Sequence, residues 1–327
     1  MNKNSSLTSI REINEITQTT NNKPKLTADY FSLGILAIAV IALAFSPIFT
    51  KLSEIEISPT ATIFNRLWIA TIIMGVWQLI QTPKDFPATQ LEEFKFNSDY
   101  KQQGLLILAS VSATASSILW AISFTQTSVA SSTVLRSLTP LFIALGAWLV
   151  LKQRFNSQFL VGMAISIIGG MIIGWDDLQL GTEHLTGDGM ALLSAALHGV
   201  NILTVGYLRD RNCTTGRVLF WRCGFGALTV LPIVGLTDIQ LFPVSLEGWL
   251  TVIALAVVCQ TFGQGLLVYS LKQFSSSFVG IFTLLKPIFT ALLAWLIFSE
   301  NISFTSAMAL ILILVGIYLA KASNNSD

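Results

Sequence analysis

Four cationic side chains, Arg66, Arg136, Arg222 and Lys286, stand inside runs of apolar residues long enough to cross a bilayer. A charge at the centre of a membrane helix costs about 2.5–3.5 kcal/mol on insertion scales. Such residues therefore face a cavity or a partner instead of lipid. The same runs hold no Asp or Glu, apart from Glu300 at the end of one. Positive charge without a carboxylate partner suits two tasks: holding an anionic or zwitterionic ligand, or bonding carbonyls where a helix is broken. Lys286 lies nearest the middle of its run and precedes Pro287, which removes a helix N–H and frees nearby carbonyls. Lys286 and Arg136 are the first candidates for substrate contact. Arg66 and Arg222 sit early in their runs and read as a matched structural pair that binds carbonyls at a helix end or snorkels to the interface, with substrate contact as the alternative.

Other polar groups could add to such a site. Gln260 and Gln264 share one helix face at i, i+4, and His198 and Asn201 share another at i, i+3. They can line a cavity or bond between helices, and packing is the blander use. His198 is a candidate proton carrier because imidazole titrates near neutrality. With Lys286 and Glu300 it makes a proton the candidate coupling ion. Trp120, Trp148 and Trp295 read as packing or interface residues, and His184 as a solvated loop residue. Cys213, Cys223 and Cys259 show no CxxC spacing and read as small packing residues. Gly162, Ser166, Gly170 and Gly174 form a stripe of small residues that admits a neighbouring helix; an intramolecular helix is favoured over a homodimer contact. There is no metal-ligand cluster, Walker loop, GxGxxG or HExxH. The chain thus reads neither as an enzyme nor as an ATP-driven pump, and no cofactor is expected.

Long apolar helices must position these groups. The 327 residues are 53% hydrophobic and 11% charged, with mean hydropathy +0.67. A soluble domain carries about 25% charged residues, so lipid is the expected solvent. Net charge is +1, which gives no case for nucleic-acid binding. A bilayer core of about 30 Å needs about 20 apolar residues per helix. Runs that qualify cover 30–50, 59–81, 103–124, 128–151, 156–175, 188–208, 215–235, 248–270, 276–299 and 303–321. Residues 1–29 read as a disordered cytoplasmic tail and 322–327 as a second tail. With the N-terminus inside, fourteen of the nineteen Lys and Arg fall on the inner side, and only Lys51 falls outside. That bias predicts ten spans with both ends cytoplasmic.

The second half of the chain repeats the first. Leu138–Leu149 matches Leu285–Leu296 at eight of twelve positions without a gap, at an offset of 147. Phe64-Asn-Arg66 matches Phe220-Trp-Arg222 at an offset of 156, and the difference fits the long inner loop at 82–101. Five spans per half is an odd number, so the halves, 30–175 and 188–321, are expected to be inverted. Such repeats belong to transporters with a pathway at the repeat interface. Arg136 aligns with Thr283, and Lys286 with Thr139, so these two cations break the symmetry.

The second copy runs Pro287-Ile-Phe-Thr-Ala-Leu-Leu-Ala-Trp-Leu-Ile-Phe-Ser-Glu300: a proline, a small and apolar run through an aromatic, then an acid. The first copy runs from Pro140 to Gln153. With Arg66 early in the second span, this pattern resembles the drug/metabolite transporter superfamily and, within it, the EamA-type ten-helix permeases. The resemblance covers about 30–321. It implies a multipass permease working by alternating access, with Pro140, Pro287 and Glu300 as structural or gating elements. Many members carry Glu before the second proline, where this chain has Lys286. The related plastid sugar-phosphate translocators use basic residues in such helices to hold anions.

The expected function is secondary transport of a small organic metabolite, anionic or zwitterionic and amino-acid-like. One alternative is export of hydrophobic or cationic compounds; another is a non-transporting membrane receptor or assembly factor. A bacterial inner membrane is the default location, with an organellar membrane as the alternative.

Overall fold

The computed structural model describes residues 30–81, 100–127, 132, 135–172, 185–237, 240–286, 288–290, 292–293 and 304–323. Pro287, Glu300, His184, Gly174, Trp295 and the tail at 1–29 lie outside them. The chain is an all-α, polytopic membrane protein, with no strand among the described residues. Its helices are α1 (Tyr30–Ala44), α2 (Ser46–Ser53), α3 (Pro59–Gln81), α4 (Tyr100–Gln126), α5 (Thr139–Leu151), α6 (Ser157–Ile172), α7 (Leu185–Asp210) and α8 (Thr215–Thr237). Then come α9 (Leu246–Ala254), a π-helical segment (Leu255–Gly263), α10 (Gln264–Ser270), α11 (Ser276–Phe282), a 3₁₀ turn (Thr283–Leu285) and α12 (Phe304–Ser323). The last of these runs into the segment expected as the second tail.

Six stretches are long and apolar enough to span a bilayer: Tyr30–Ser53, Pro59–Ile80, Tyr100–Ser123, Leu185–Asp210, Thr215–Leu236 and Leu246–Ser270. Thr139–Leu151, Ser157–Ile172, Ser276–Thr290 and Ile311–Lys321 are shorter apolar helices among the described residues. Large apolar side chains coat the outside, among them Ile80 at 73% and Leu228 at 65% exposure. Serines and amides meanwhile lie buried, as with Ser110, Ser116, Ser194 and Asn201. An apolar exterior around a partly polar interior is the arrangement lipid demands.

Several expected spans are not uniform helices. The first breaks at Phe45, between α1 and α2, just before Pro47. Pro140 does not interrupt a helix as a mid-span proline would. It sits in the first turn of α5, after a turn at Ser137–Leu138, where its missing N–H costs no helix bond. In the eighth span the backbone widens into the π-helix, a geometry that often accompanies functional sites. The ninth tightens into 3₁₀ at Thr283–Leu285, directly before Lys286.

α4 packs along α7, α3 along α8, and α6 along α12. The α6–α12 pair occupies the small-residue stripe. A Cβ built on Gly162 would lie 2.6 Å from the Gly316 carbonyl oxygen and 2.7 Å from the Ala320 nitrogen. The stripe thus serves intramolecular packing, and a homodimer contact finds no support in it. All three cysteines are buried, and none of them forms a disulfide with another.

One end of the α3–α8–α9 group carries a polar clamp. Glu56, in the turn between α2 and α3, accepts hydrogen bonds from the backbone N–H of Val244 (3.0 Å) and Ser245 (3.1 Å), and from the Ser245 hydroxyl. Those Ser245 bonds hold its carboxyl below the usual carboxylate range. Ser245 also caps α9 by accepting from Gly248 N at 2.9 Å. Beside the clamp, Phe242 stacks on Trp249 and meets Trp68 edge-on.

Candidate functional site

The polar faces of α3, α4, α7, α8 and the π-helical segment converge on one interior cavity. Arg66 reaches it from α3. Its neighbour Asn65 pins that helix by donating to the carbonyls of Ala61 (2.8 Å) and Leu241 (2.7 Å), and accepts from the Trp68 indole at 2.9 Å. Arg66 Nε donates to Gln260 Oε1 at 2.6 Å, and Nη1 to Ser46 Oγ at 3.3 Å. The amide of Gln260 donates in turn to Cys223 Sγ at 3.2 Å.

Arg222 enters from α8. It donates to Asn201 Oδ1 (3.4 Å) and to Gln264 Oε1 (3.2 Å). Asn201 is oriented by its own bond to the Ala109 carbonyl at 2.9 Å. The Ser110 hydroxyl donates to the Arg222 carbonyl at 2.9 Å and ties α4 to α8. His198, one turn from Asn201, completes the wall together with Thr114 and Ser117. A guanidinium carries five N–H donors, more than these partners take up. The amides accept from the arginines and so hold them in place along the cavity they line.

The cavity's volume is about 60 Å³. No carboxylate lines it, and none of the four in-span cations has a carboxylate partner among the described residues. The wall can therefore donate hydrogen bonds to an electronegative group.

Arg136 and Lys286 lie elsewhere. The Arg136 guanidinium carbon sits 4.6 Å from the centroid of the Trp120 ring, and one of its nitrogens donates to Ser194 Oγ. Ser194 is itself bonded to Ser116, whose hydroxyl donates to the Ser194 carbonyl at 2.8 Å. Lys286 Nζ lies 6.0 Å from the same indole. Both approach within the range of a cation–π contact.

The structure thus regroups the sequence candidates. Gln260, Gln264, Asn201 and His198 do share a cavity, but their cationic companions there are Arg66 and Arg222. In the structure that pair bonds to side-chain amides and, for Arg66, to Ser46. Lys286 and Arg136 form a separate cluster on Trp120, which the sequence marks only as a packing or interface residue. One sequence signal points to the cavity more sharply than helix spacing does. At the 147-residue offset Gln260 stands opposite Ala113, and Gln264 opposite Ser117. All four line the cavity, so the second half has substituted amides where the first half has small side chains.

Comparison with known proteins agrees with this architecture. The model of the EamA-like transporter family matches the chain twice, over residues 31–175 and 185–321. The chain is similar to an uncharacterized transporter of Archaeoglobus fulgidus, 23% identical over 299 residues, covering 89% of this chain and 97% of that protein. It is also similar to an uncharacterized transporter of Clostridium kluyveri, 23% identical over 270 residues, covering 80% and 84%. A protein of known crystal structure superposes with a TM-score of 0.77 at 16% identity, covering 91% of this chain and 99% of its own, a likeness of fold.

Proposed function

The chain belongs to the EamA-like transporter family, and from that premise we propose that it is a secondary transporter that moves a small anionic or zwitterionic metabolite by alternating access. One observation carries the choice of substrate class: Arg66 and Arg222 share a cavity, each held by amides, with no carboxylate in its wall. Arg66, Arg222 and Gln264 bind the electronegative group, a carboxylate above all, since guanidinium donors match its geometry. Gln260 and Asn201 hold the two arginines in position. His198 is the proton carrier if transport is coupled to protons. A cationic cargo would find no charge-compensating group there.

Alternating access draws support from the cavity's size. Metabolite sites usually measure about 300–1,000 Å³, and this one measures about 60 Å³. Helices must part to admit cargo. Two inverted halves draw support from the double family match and from helix pairing. α3 with α8, and α6 with α12, are counterparts of one another in the repeat. The Ser166 hydroxyl donates to the Ile313 carbonyl at 3.5 Å, and these two positions are themselves one repeat apart, as residues beside an internal twofold axis would be. The Lys and Arg distribution supports placing both chain ends on the cytoplasmic side of a bacterial inner membrane.

Purified protein in vesicles tests this reading. With a panel of neutral, anionic, zwitterionic and cationic metabolites, accumulation of anionic or zwitterionic solutes is expected. Uptake confined to cations would overturn it.

A further inference from the structure

Arg136 and Lys286 approach one indole, Trp120, from two different helical segments. Their place relative to the cavity follows from the helices they touch. Along α4, Ser117 lines the cavity and Trp120 lies three residues further toward the C-terminus. Along α7, His198 lines the cavity, and Ser194, which accepts from Arg136, lies four residues toward the N-terminus. Each step is about one helical turn, roughly 5–6 Å at 1.5 Å per residue. α4 and α7 pack along each other, so the two steps lead the same way.

Among the described residues, neither cation at this second level has a carboxylate partner. Arg136 has a hydroxyl and an aromatic face. Lys286 has the aromatic face alone among the described residues, with no hydrogen-bond acceptor. Two like charges near one another in a low-dielectric span repel. Cation–π contact offsets only part of that cost. An anionic group between them would relieve both charges.

We infer that Arg136, Lys286 and Trp120 form a second anion-binding station, about one helical turn from the Arg66–Arg222 cavity, and that the transporter therefore selects substrates with two anionic groups roughly 5–6 Å apart. The inference rests on the proposed reading of the central cavity as the substrate site. One carboxylate docks on Arg66 and Arg222, and the second reaches the Trp120 station. Acidic amino acids and short dicarboxylates have that separation. Their amides share the shape and lack the second charge, which makes glutamate and glutamine a discriminating pair.

The test is uptake of radiolabelled glutamate and glutamine into vesicles bearing the full-length wild-type protein or Lys286→Met, with Lys286→Arg as the charge-preserving control. Wild type is expected to prefer glutamate at least tenfold. Lys286→Met should bring the glutamate-to-glutamine uptake ratio to within about twofold of unity, and Lys286→Arg should restore the preference. Monodisperse elution in detergent keeps misfolding out of the comparison. Equal loss of both substrates in Lys286→Met, or a preserved glutamate preference, would overturn the second station. Replacing chloride with gluconate separates the substrate's own carboxylate from a resident halide. Preference should survive the exchange, and its disappearance would overturn the assignment. Should wild type carry glutamine and other solutes with a single carboxylate no less well than glutamate, the second station fails and the central site stands. Failure of the whole anionic and zwitterionic panel would sink the central site as well.

Discussion

Arg222 donates to two different side chains, Asn201 and Gln264, through two different nitrogens. A lysine keeps the charge but not the fork. Arg222→Lys is therefore expected to lower uptake about tenfold or more, in line with about 1.5–3 kcal/mol for a charge-assisted bond. Little change in uptake would remove Arg222 from the site. Ala113→Gln gives the complementary test, since it restores the amide that repeat symmetry would place opposite Gln260. Its side chain must enter a cavity of about 60 Å³. Blocked uptake with an unchanged melting temperature is expected, and unimpaired uptake would show that cargo does not pass there. Much of this residue set was legible in the sequence. An arginine in an apolar run announces a cavity or a partner, and i, i+4 glutamines announce a shared face. Which cation meets which amide was not legible. Arg66 and Gln260 are 194 residues apart, and their meeting depends on how the two halves dock.

Elements show the same division. The stripe at Gly162 and Ser166 announced a close helix neighbour, and α12 fills it at Gly316. Gly162→Leu should therefore destabilise by about 1–3 kcal/mol or more, the cost of forcing bulk into a packed interface. A lower melting temperature in detergent would register it, and an unchanged one would contradict the packing described. The π-helix at Leu255–Gly263 had no sequence signal, because a wide turn and an α-turn bury the same apolar residues. The break at Phe45 was signalled only by Pro47. The Glu56 clamp spans two segments 188 residues apart and was equally hidden. Its pH dependence follows from sign. Bonds from Ser245 lower the Glu56 carboxyl from its ordinary value of 4.5. The clamp's contribution is therefore complete above that value and is lost as pH falls through the lower, folded-state value. Neutral and mildly acidic solutions should leave it closed. Glu56→Gln should loosen it at pH 7, as should Gly248→Ala, whose Cβ would lie 2.5 Å from Glu56 Oε2. Faster thiol labelling of a cysteine placed at Val244 would register the release, and equal labelling in all three backgrounds would rule the clamp out.

For the whole molecule, composition alone dictated lipid as solvent, and the internal repeat dictated two related halves. The family model matches the chain twice, and the proposed chemistry lies where the two copies differ. Gln260 and Gln264 face Ala113 and Ser117 across the repeat, and Lys286 and Arg136 face threonines. On the proposed reading, the two halves rock about a shared centre, and unequal side chains at that centre select the cargo. Selection by two arginines is the claim on which the rest depends. Its most direct measurement is counterflow exchange in vesicles, comparing wild type with the double variant Arg66→Gln, Arg222→Gln. Wild type should exchange an anionic or zwitterionic metabolite, and the folded double variant should lose at least about a hundredfold of that rate, the sum of two charge-assisted contacts. A folded double variant that exchanges the same substrate at the wild-type rate would contradict it.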